Sequence, residues 1–122
     1  MSDVQYLVEQ YLAVWNETDA AARRRLIGEV FAADGRYTDP LADVRGADAL
    51  DAVVGAAQAQ FPGLVFTPAG PVDAHHGIAR FGWELGPADG DALVVGFDVA
   101  VTGEDGLIHS VLGFLDKVPS AG

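Results

Sequence analysis

Two aspartates and a tyrosine stand where the hydrophobic pattern of this chain calls for apolar residues, and together they could move a proton. Asp98 interrupts the apolar stretch DALVVGFDVAVT, where its same-face neighbours Val94, Gly96 and Ala100 offer no opposite charge. Burial without a partner disfavours the ionised carboxylate, so such a group is expected to hold its proton and donate a hydrogen bond. Asp39 closes the stretch GRYTDP, residues 35–40, preceded by an aromatic and a β-branched residue and followed by proline. At a pocket rim and partly solvated, it is expected to keep its charge and take up a proton. Two carboxylates in different surroundings then supply acid and base from one residue type. Tyr11 lies among Leu7, Val8 and Trp15 and offers a hydroxyl donor. Each residue also has a plainer reading. Asp39 before Pro40 is a common turn composition, Asp98 could pair with Arg80 or Arg36, and Tyr11 could be a core tyrosine with a satisfied hydroxyl.

The elements that must position these groups follow from periodicity. Val4, Leu7, Val8, Tyr11, Leu12 and Trp15 recur at helical spacing, predicting a helix from a Ser2/Asp3 cap to about residue 17. Asp19 reads as the N-cap of a second helix, AAARRRLIGEVFA, with Leu26, Ile27, Val30 and Phe31 as its stripe and Arg23, Arg24 and Arg25 toward solvent. After Asp34-Gly35 comes a short strand, RYTD, stopped by Pro40. LADVRG reads as a loop, and GADALDAVVGAAQAQF as a third helix burying Leu50, Val53, Val54, Ala57 and Phe61. From Leu64 the pattern changes to strands, LVFTPAGPVDA, GIARFGWEL, DALVVGFDVAVT and GLIHSVLGFLDKV, divided by the turns HHG, GPADGD and GEDG. Helices followed by strands describe an α+β domain with the helices on one face of a curved sheet.

Alternation assigns the faces. Leu93, Val95, Phe97, Val99 and Val101 fall on one side of the Asp98 strand; Ile108, Ser110, Leu112 and Phe114 share a side of the last strand, with His109, Val111, Gly113 and Leu115 opposite. Both sides are largely apolar, so the side without helices needs a cover, and a homodimer through the sheet is expected. By the same parity His109 faces the helices and is expected to line the pocket. His75 and His76, in a turn before Gly77, read as exposed residues whose rings point apart rather than as metal ligands.

At 122 residues the chain is expected to form one domain, residues 1–122, large enough for a real core. With 18 acidic against 7 basic residues and a net charge of -11, it repels phosphate backbones and anionic lipid surfaces, so no nucleic acid and no membrane is expected as partner. No apolar run spans a bilayer and MSDVQYLVEQ has no signal-like core, so a cytoplasmic location is expected. Without cysteine there is no disulfide, thiolate nucleophile or Cys-ligated metal. Glu104-Asp105-Gly106 lacks the further spaced oxygens of a calcium loop, and GxGxxG, P-loop, GxSxG and HExxH motifs do not occur.

The element order, with VEQYLAVWNETD, FAADGRYTDPLADVRG, AGPVDAHHG and GFDVAVTGEDGLIHSVLGFLD, resembles the nuclear-transport-factor-2-like superfamily, in its SnoaL-like and steroid delta-isomerase-like branch. The resemblance covers nearly the whole chain. It implies a cystatin-like cone: a curved antiparallel sheet with three N-terminal helices on its concave face, an enclosed hydrophobic cavity, and often dimerisation through the sheet. It also implies roles. Tyr11 matches the oxyanion tyrosine of the isomerases, Asp39 in YTDP their base, and Asp98 in GFDVAV the protonated aspartate of the oxyanion site. Trp83, Val111 and Leu115 match cavity-lining positions, and Trp15, Val54, Phe61 and His109 complete the expected pocket. Phe31 and Val54 stand where the isomerases carry supporting tyrosines, so Tyr11 is expected to lack their hydrogen bonds. Arg80 is expected to point out of the cavity, and the Asp-Arg-Asp set of limonene epoxide hydrolase on this fold does not assemble. The expected function is a cofactor-independent isomerase or cyclase that abstracts a proton beside a carbonyl of a small hydrophobic ligand. The alternatives are a non-catalytic binder of such a metabolite, and a dimeric interaction module whose cavity is filled by Trp15, Phe61 and Trp83.

Overall fold

Helical periodicity becomes three helices and strand alternation becomes six strands in a computed structural model that describes residues 3–119. The first helix, α1 (Asp3–Asn16), buries Val8, Tyr11, Leu12 and Trp15 along one stripe. The expected Ser2/Asp3 cap lies outside the described residues. The second, α2 (Ala20–Val30), starts where the Asp19 carboxylate accepts a hydrogen bond from Ala22 N at 2.9 Å. It ends one residue before Phe31, whose extended backbone already belongs to a strand, so Phe31 is not part of the helical stripe. The third, α3 (Ala47–Gln60), buries Leu50 and Val54.

The strands are β1 (Phe31–Thr38), β2 (Asp43–Arg45), β3 (Val65–His75), β4 (Ile78–Gly86), β5 (Val94–Thr102) and β6 (Ile108–Lys117). They form one curved, unclosed sheet in the order β2-β1-β6-β5-β4-β3. The expected α+β class and helix-covered sheet hold, with one qualification: the sheet is mixed, because β1 and β6 pair in parallel while every other neighbour is antiparallel. Most of the chain separates those two strands, which is the long connection a parallel pair requires. Two sequence expectations fail next to Asp39. The strand there begins at Phe31 and runs through Asp34-Gly35, with irregular register against β6 between Phe31 and Arg36. LADVRG is not all loop, since Asp43–Arg45 folds back on Arg36–Thr38 as β2.

The helices cover the sheet face that carries Ala79, Phe81, Trp83 and Leu85 of β4, Val94, Asp98 and Ala100 of β5, and Val111 of β6, all of them buried. Arg23 departs from the predicted solvent-facing basic run. It shares the inward face of α2 with Ile27 and Val30, is 8 % exposed, and its guanidinium bonds Asp51 and Gln58 of α3 and the Glu17 carbonyl after α1. Arg24, by contrast, keeps to the surface beside Asp48. Among the described residues no helix is long and apolar enough to cross a membrane.

Candidate active site

A cavity of about 670 Å³ opens between the helices and the sheet, its walls mostly apolar. Leu12 and Trp15 of α1, Val53, Ala57 and Phe61 at α3, and Phe66, Trp83 and Leu115 from the sheet supply those walls. Two anchors hold the helical side. The Asn16 side chain clamps the Phe66 backbone of β3, accepting from its N–H at 2.7 Å and donating to its carbonyl at 2.9 Å. Gln58 of α3 donates to the Trp15 and Glu17 carbonyls at 2.9 and 2.8 Å while its own carbonyl accepts from Arg23 at 3.0 Å. The buried arginine therefore ties all three helices at the cavity wall.

Asp98 reaches the cavity from the middle of β5 and is 2 % exposed. The Tyr11 hydroxyl donates to its Oδ2 at 2.8 Å, across 87 residues of sequence. Among the described residues no cation pairs with it: Arg36 pairs with Asp43 and Arg80 with Asp73, at the surface. Burial pushes the Asp98 carboxyl up to about 6; the Tyr11 hydrogen bond opposes this, as does the nearby Trp83 indole without forming a hydrogen bond, and the Asp39 charge adds to the rise. Asp98 Oδ1 has no hydrogen-bond partner. Burial and the neighbouring Asp98 charge also raise Tyr11 well above the ordinary phenol range, so it is a hydroxyl donor and not a phenolate.

Asp39 both closes a turn and borders the cavity. Its Oδ1 accepts from the backbone N–H groups of Leu41 at 2.7 Å and Ala42 at 2.8 Å, which makes it the turn-former between β1 and β2. Its Oδ2 accepts from the Tyr37 hydroxyl at 2.7 Å, and the half-buried side chain borders the cavity. Three donors suit a carboxylate, which has about four acceptor positions. Burial raises Tyr37 as well, keeping it a donor. Gly113 lets the two acids share the chamber. It sits opposite Asp98 in β6, and a Cβ there would stand 2.8 Å from Asp98 Oδ1 and 3.4 Å from Asp39 Cβ. Gly96 similarly leaves room for the Trp83 indole, which a Cβ would meet at 2.0 Å.

The structure thus brings Tyr11, Asp39 and Asp98 to one cavity, with Trp15, Phe61, Trp83 and Leu115 on its walls. It corrects three expected lining residues. Val54 and Val111 are fully buried in the core behind the wall. His109 faces solvent, because a register shift pairs Thr102 with Ile108 but Val101 with Ser110 and so leaves His109 as the bulged residue. Ile108 and Val111 consequently both point inward, and the His109 ring meets the Asp105 carboxylate of the preceding turn at 3.0 and 3.1 Å. Tyr11 and Asp98 form a bonded pair in series, so the atom left without a partner is Asp98 Oδ1 and the two do not converge on a point between them. Phe31 packs on the Tyr11 ring at 5.9 Å and, as expected, gives it no hydrogen bond. Tyr37 and Gly113 were missed as site residues; the period-two pairing of Tyr37 with Asp39, and a glycine in an apolar strand, were the available signals. His75 and His76 sit at the β3–β4 turn, and among the described residues no group of three His, Asp or Glu side chains gathers to hold a metal.

The SnoaL-like domain family matches residues 8–111 of the sequence. No curated protein matches it. Among solved structures, a supposed isomerase of the SnoaL-like family from Agrobacterium tumefaciens is similar at 40% identity and TM-score 0.89, over 95% of this chain and 99% of that one. A nuclear-transport-factor-2-like protein of unknown function from Exiguobacterium superposes with TM-score 0.71 at 22% identity, over 90% and 98% of the two chains. A supposed polyketide cyclase from Sinorhizobium meliloti does so with TM-score 0.69 at 17% identity, over 93% and 99%. The last two likenesses speak for the fold alone.

Proposed function

The chain belongs to the SnoaL-like domain family, and from that premise we propose a cofactor-independent isomerase or cyclase that removes a proton beside a carbonyl of a small hydrophobic substrate. One observation carries the reading: two carboxylates of opposite surroundings border the same apolar cavity, Asp98 dry and uncompensated, Asp39 half-buried and held by three donors. The substrate carbonyl oxygen accepts a hydrogen bond from the protonated Asp98 Oδ1. Asp39 removes the neighbouring C–H proton, and the enolate charge develops against the Asp98 O–H, which Tyr11 supports from behind. Returning the proton from Asp39 to another carbon completes an isomerisation; attack of the enolate carbon on a second carbonyl of the same molecule, with the Asp39 proton passing to the new alkoxide, completes a cyclisation. The supposed isomerase name of the 40%-identical structure agrees with this class. The filled-cavity reading loses its ground, since Trp15, Phe61 and Trp83 wall an open space.

The test is hydrogen–deuterium exchange beside the carbonyl of bicyclic enones in heavy water, followed by NMR. Asp39→Asn should slow exchange by about 10²–10⁴-fold, the usual contribution of a positioned base, while leaving enone binding intact. Equal exchange by the variant and the parent protein would end the proposal.

A further inference from the structure

Asp39 has more hydrogen bonds than its turn needs. The β1–β2 turn is closed by the Asp39 N–H donating to the Ala42 carbonyl at 2.8 Å and by the Leu41 and Ala42 N–H groups donating to Oδ1 at 2.7 and 2.8 Å. Those two bonds use both lone pairs of Oδ1. The Tyr37 hydroxyl, 2.7 Å from Oδ2, adds nothing to the turn itself. Nor does the fold require it. Tyr37 is 4 % exposed, its backbone pairs with Val44 of β2 and Val111 of β6, and its ring lies 5.3 Å from that of Trp15. A phenylalanine would meet each of these demands and would spare the cost of burying a hydroxyl. The hydroxyl is therefore explained by what it holds.

Tyr37 borders the same cavity as Asp39. Burial, and after it the Asp98 charge and the bond to Asp39, keep its hydroxyl far from ionisation, so it stays a donor. A carboxylate with about four acceptor positions and three donors has one position left. Because Oδ1 is filled, that position is on Oδ2. We infer that Tyr37 is the positioning residue of the base: its hydroxyl fixes the rotation of the Asp39 carboxylate and leaves one lone pair of Oδ2 as the place where the proton is received. Each acid of the site then has its own phenol, Tyr11 for Asp98 and Tyr37 for Asp39. The inference rests on Asp39 being the base of the reaction proposed above, and it asks nothing of Asp98.

Exchange beside the carbonyl of bicyclic enones in heavy water is measured for the parent protein, Tyr37→Phe, Asp39→Asn and the double variant. Without the hydroxyl the carboxylate is free to turn, but it also accepts a proton more readily, which offsets part of the loss. The saturated rate of Tyr37→Phe should therefore fall by about tenfold, the low end for a charge-assisted bond, with the half-saturating enone concentration changed by less than about twofold. Added to Asp39→Asn, where no base remains to be aimed, the same substitution should alter the residual rate by less than about twofold. A tyrosine that served only packing would lower both rates alike. A second readout needs no Tyr37 variant. A phenol hydroxyl 2.7 Å from a carboxylate oxygen gives a downfield proton signal, and that of Tyr37, assigned through its ring protons, should move upfield in Asp39→Asn. A parent-like rate in Tyr37→Phe beside a slow Asp39→Asn overturns this inference and spares the reaction. A tenfold loss that persists in the Asp39→Asn background, or a Tyr37 signal indifferent to that substitution, overturns it too. Full exchange by Asp39→Asn ends the reaction and this inference together.

Discussion

The two faces of β5 and β6 are almost equally apolar, yet they meet opposite fates. Inward, Val94, Gly96, Asp98, Ala100, Val111 and Gly113 are buried beneath the helices. Outward, Phe97 pairs with Phe114, and Val99 with Leu112, on a side that no element among the described residues covers; Phe114 remains 55 % exposed and Leu112 44 %. The inner face carries a carboxylate and the outer stretch of these four residues carries none. What distinguishes them is therefore water and not hydrophobicity: a carboxyl becomes chemically unusual on the inner face because nothing there solvates its charge.

Removing the charge from the inner face should produce the largest effect. The folded-state value of Asp98, about 6, lies above the roughly 3.9 of an unfolded aspartate, so its contribution to stability is full below about 4 and is lost as pH rises through about 6. Two units correspond to about 3 kcal/mol. Asp98→Asn keeps an acceptor for Tyr11 and a donor where the acid proton stood, but does not titrate. The stability difference between the parent and this variant, from denaturant unfolding at a series of pH values, should shift by about 3 kcal/mol against the parent between pH 4 and 7. A flat difference would mean that water reaches Asp98 and that the two faces are not so different.

A smaller effect is expected from Tyr11→Phe, which leaves the inner face dry and takes away only the bond to Asp98 Oδ2. A hydrogen bond to a neutral acid contributes about 0.5–1.5 kcal/mol, so exchange beside the carbonyl should slow by about 2–10-fold. Its pH profile sharpens the point. In the proposed reaction the neutral acid is the working form, so activity should fall as pH rises through the Asp98 value, and because the Tyr11 bond holds that value down, the variant's fall should come at higher pH. An unmoved profile would separate Tyr11 from the titrating group.

How far the sequence reveals this contrast depends on which residues are asked. Asp98 was legible because a lone acid in an apolar strand can be read from alternation alone, and Tyr11 because α1 has an unbroken stripe. His109 was not: one bulged residue after Ile108 inverts every parity assignment before it in β6, and no local residue type announces the bulge. Arg23 was hidden for a related reason. Helical position placed it beside Ile27, but its burial depends on Asp51 and Gln58, which arrive from α3. Asp39 looked like a choice between turn and base because sequence treats the roles as exclusive, whereas a carboxylate has enough lone pairs to close the β1–β2 turn and still face a cavity.

The outer face provides the smallest effect on the site and the clearest on assembly. We propose that a second copy of the chain covers it, since the half-buried Phe97 and exposed Phe114 rings, 6.3 Å apart, and the neighbouring Leu112 form a contiguous apolar patch. Each copy carries a net charge of -11, so the partners repel at long range and only the apolar contact favours their union. Salt screens that repulsion, so association should tighten as ionic strength rises, the reverse of a complex steered by opposite charges. Phe114→Asp places a charge in the patch and should yield monomers in sedimentation at concentrations where the parent is dimeric. Its monomer should lose no more than about 0.5 kcal/mol of stability, as expected for a surface position. The enone should still bind it, because the cavity lies across the sheet from residue 114. A parent protein that sediments as a monomer at micromolar concentration would remove the dimer and leave the outer face simply wet.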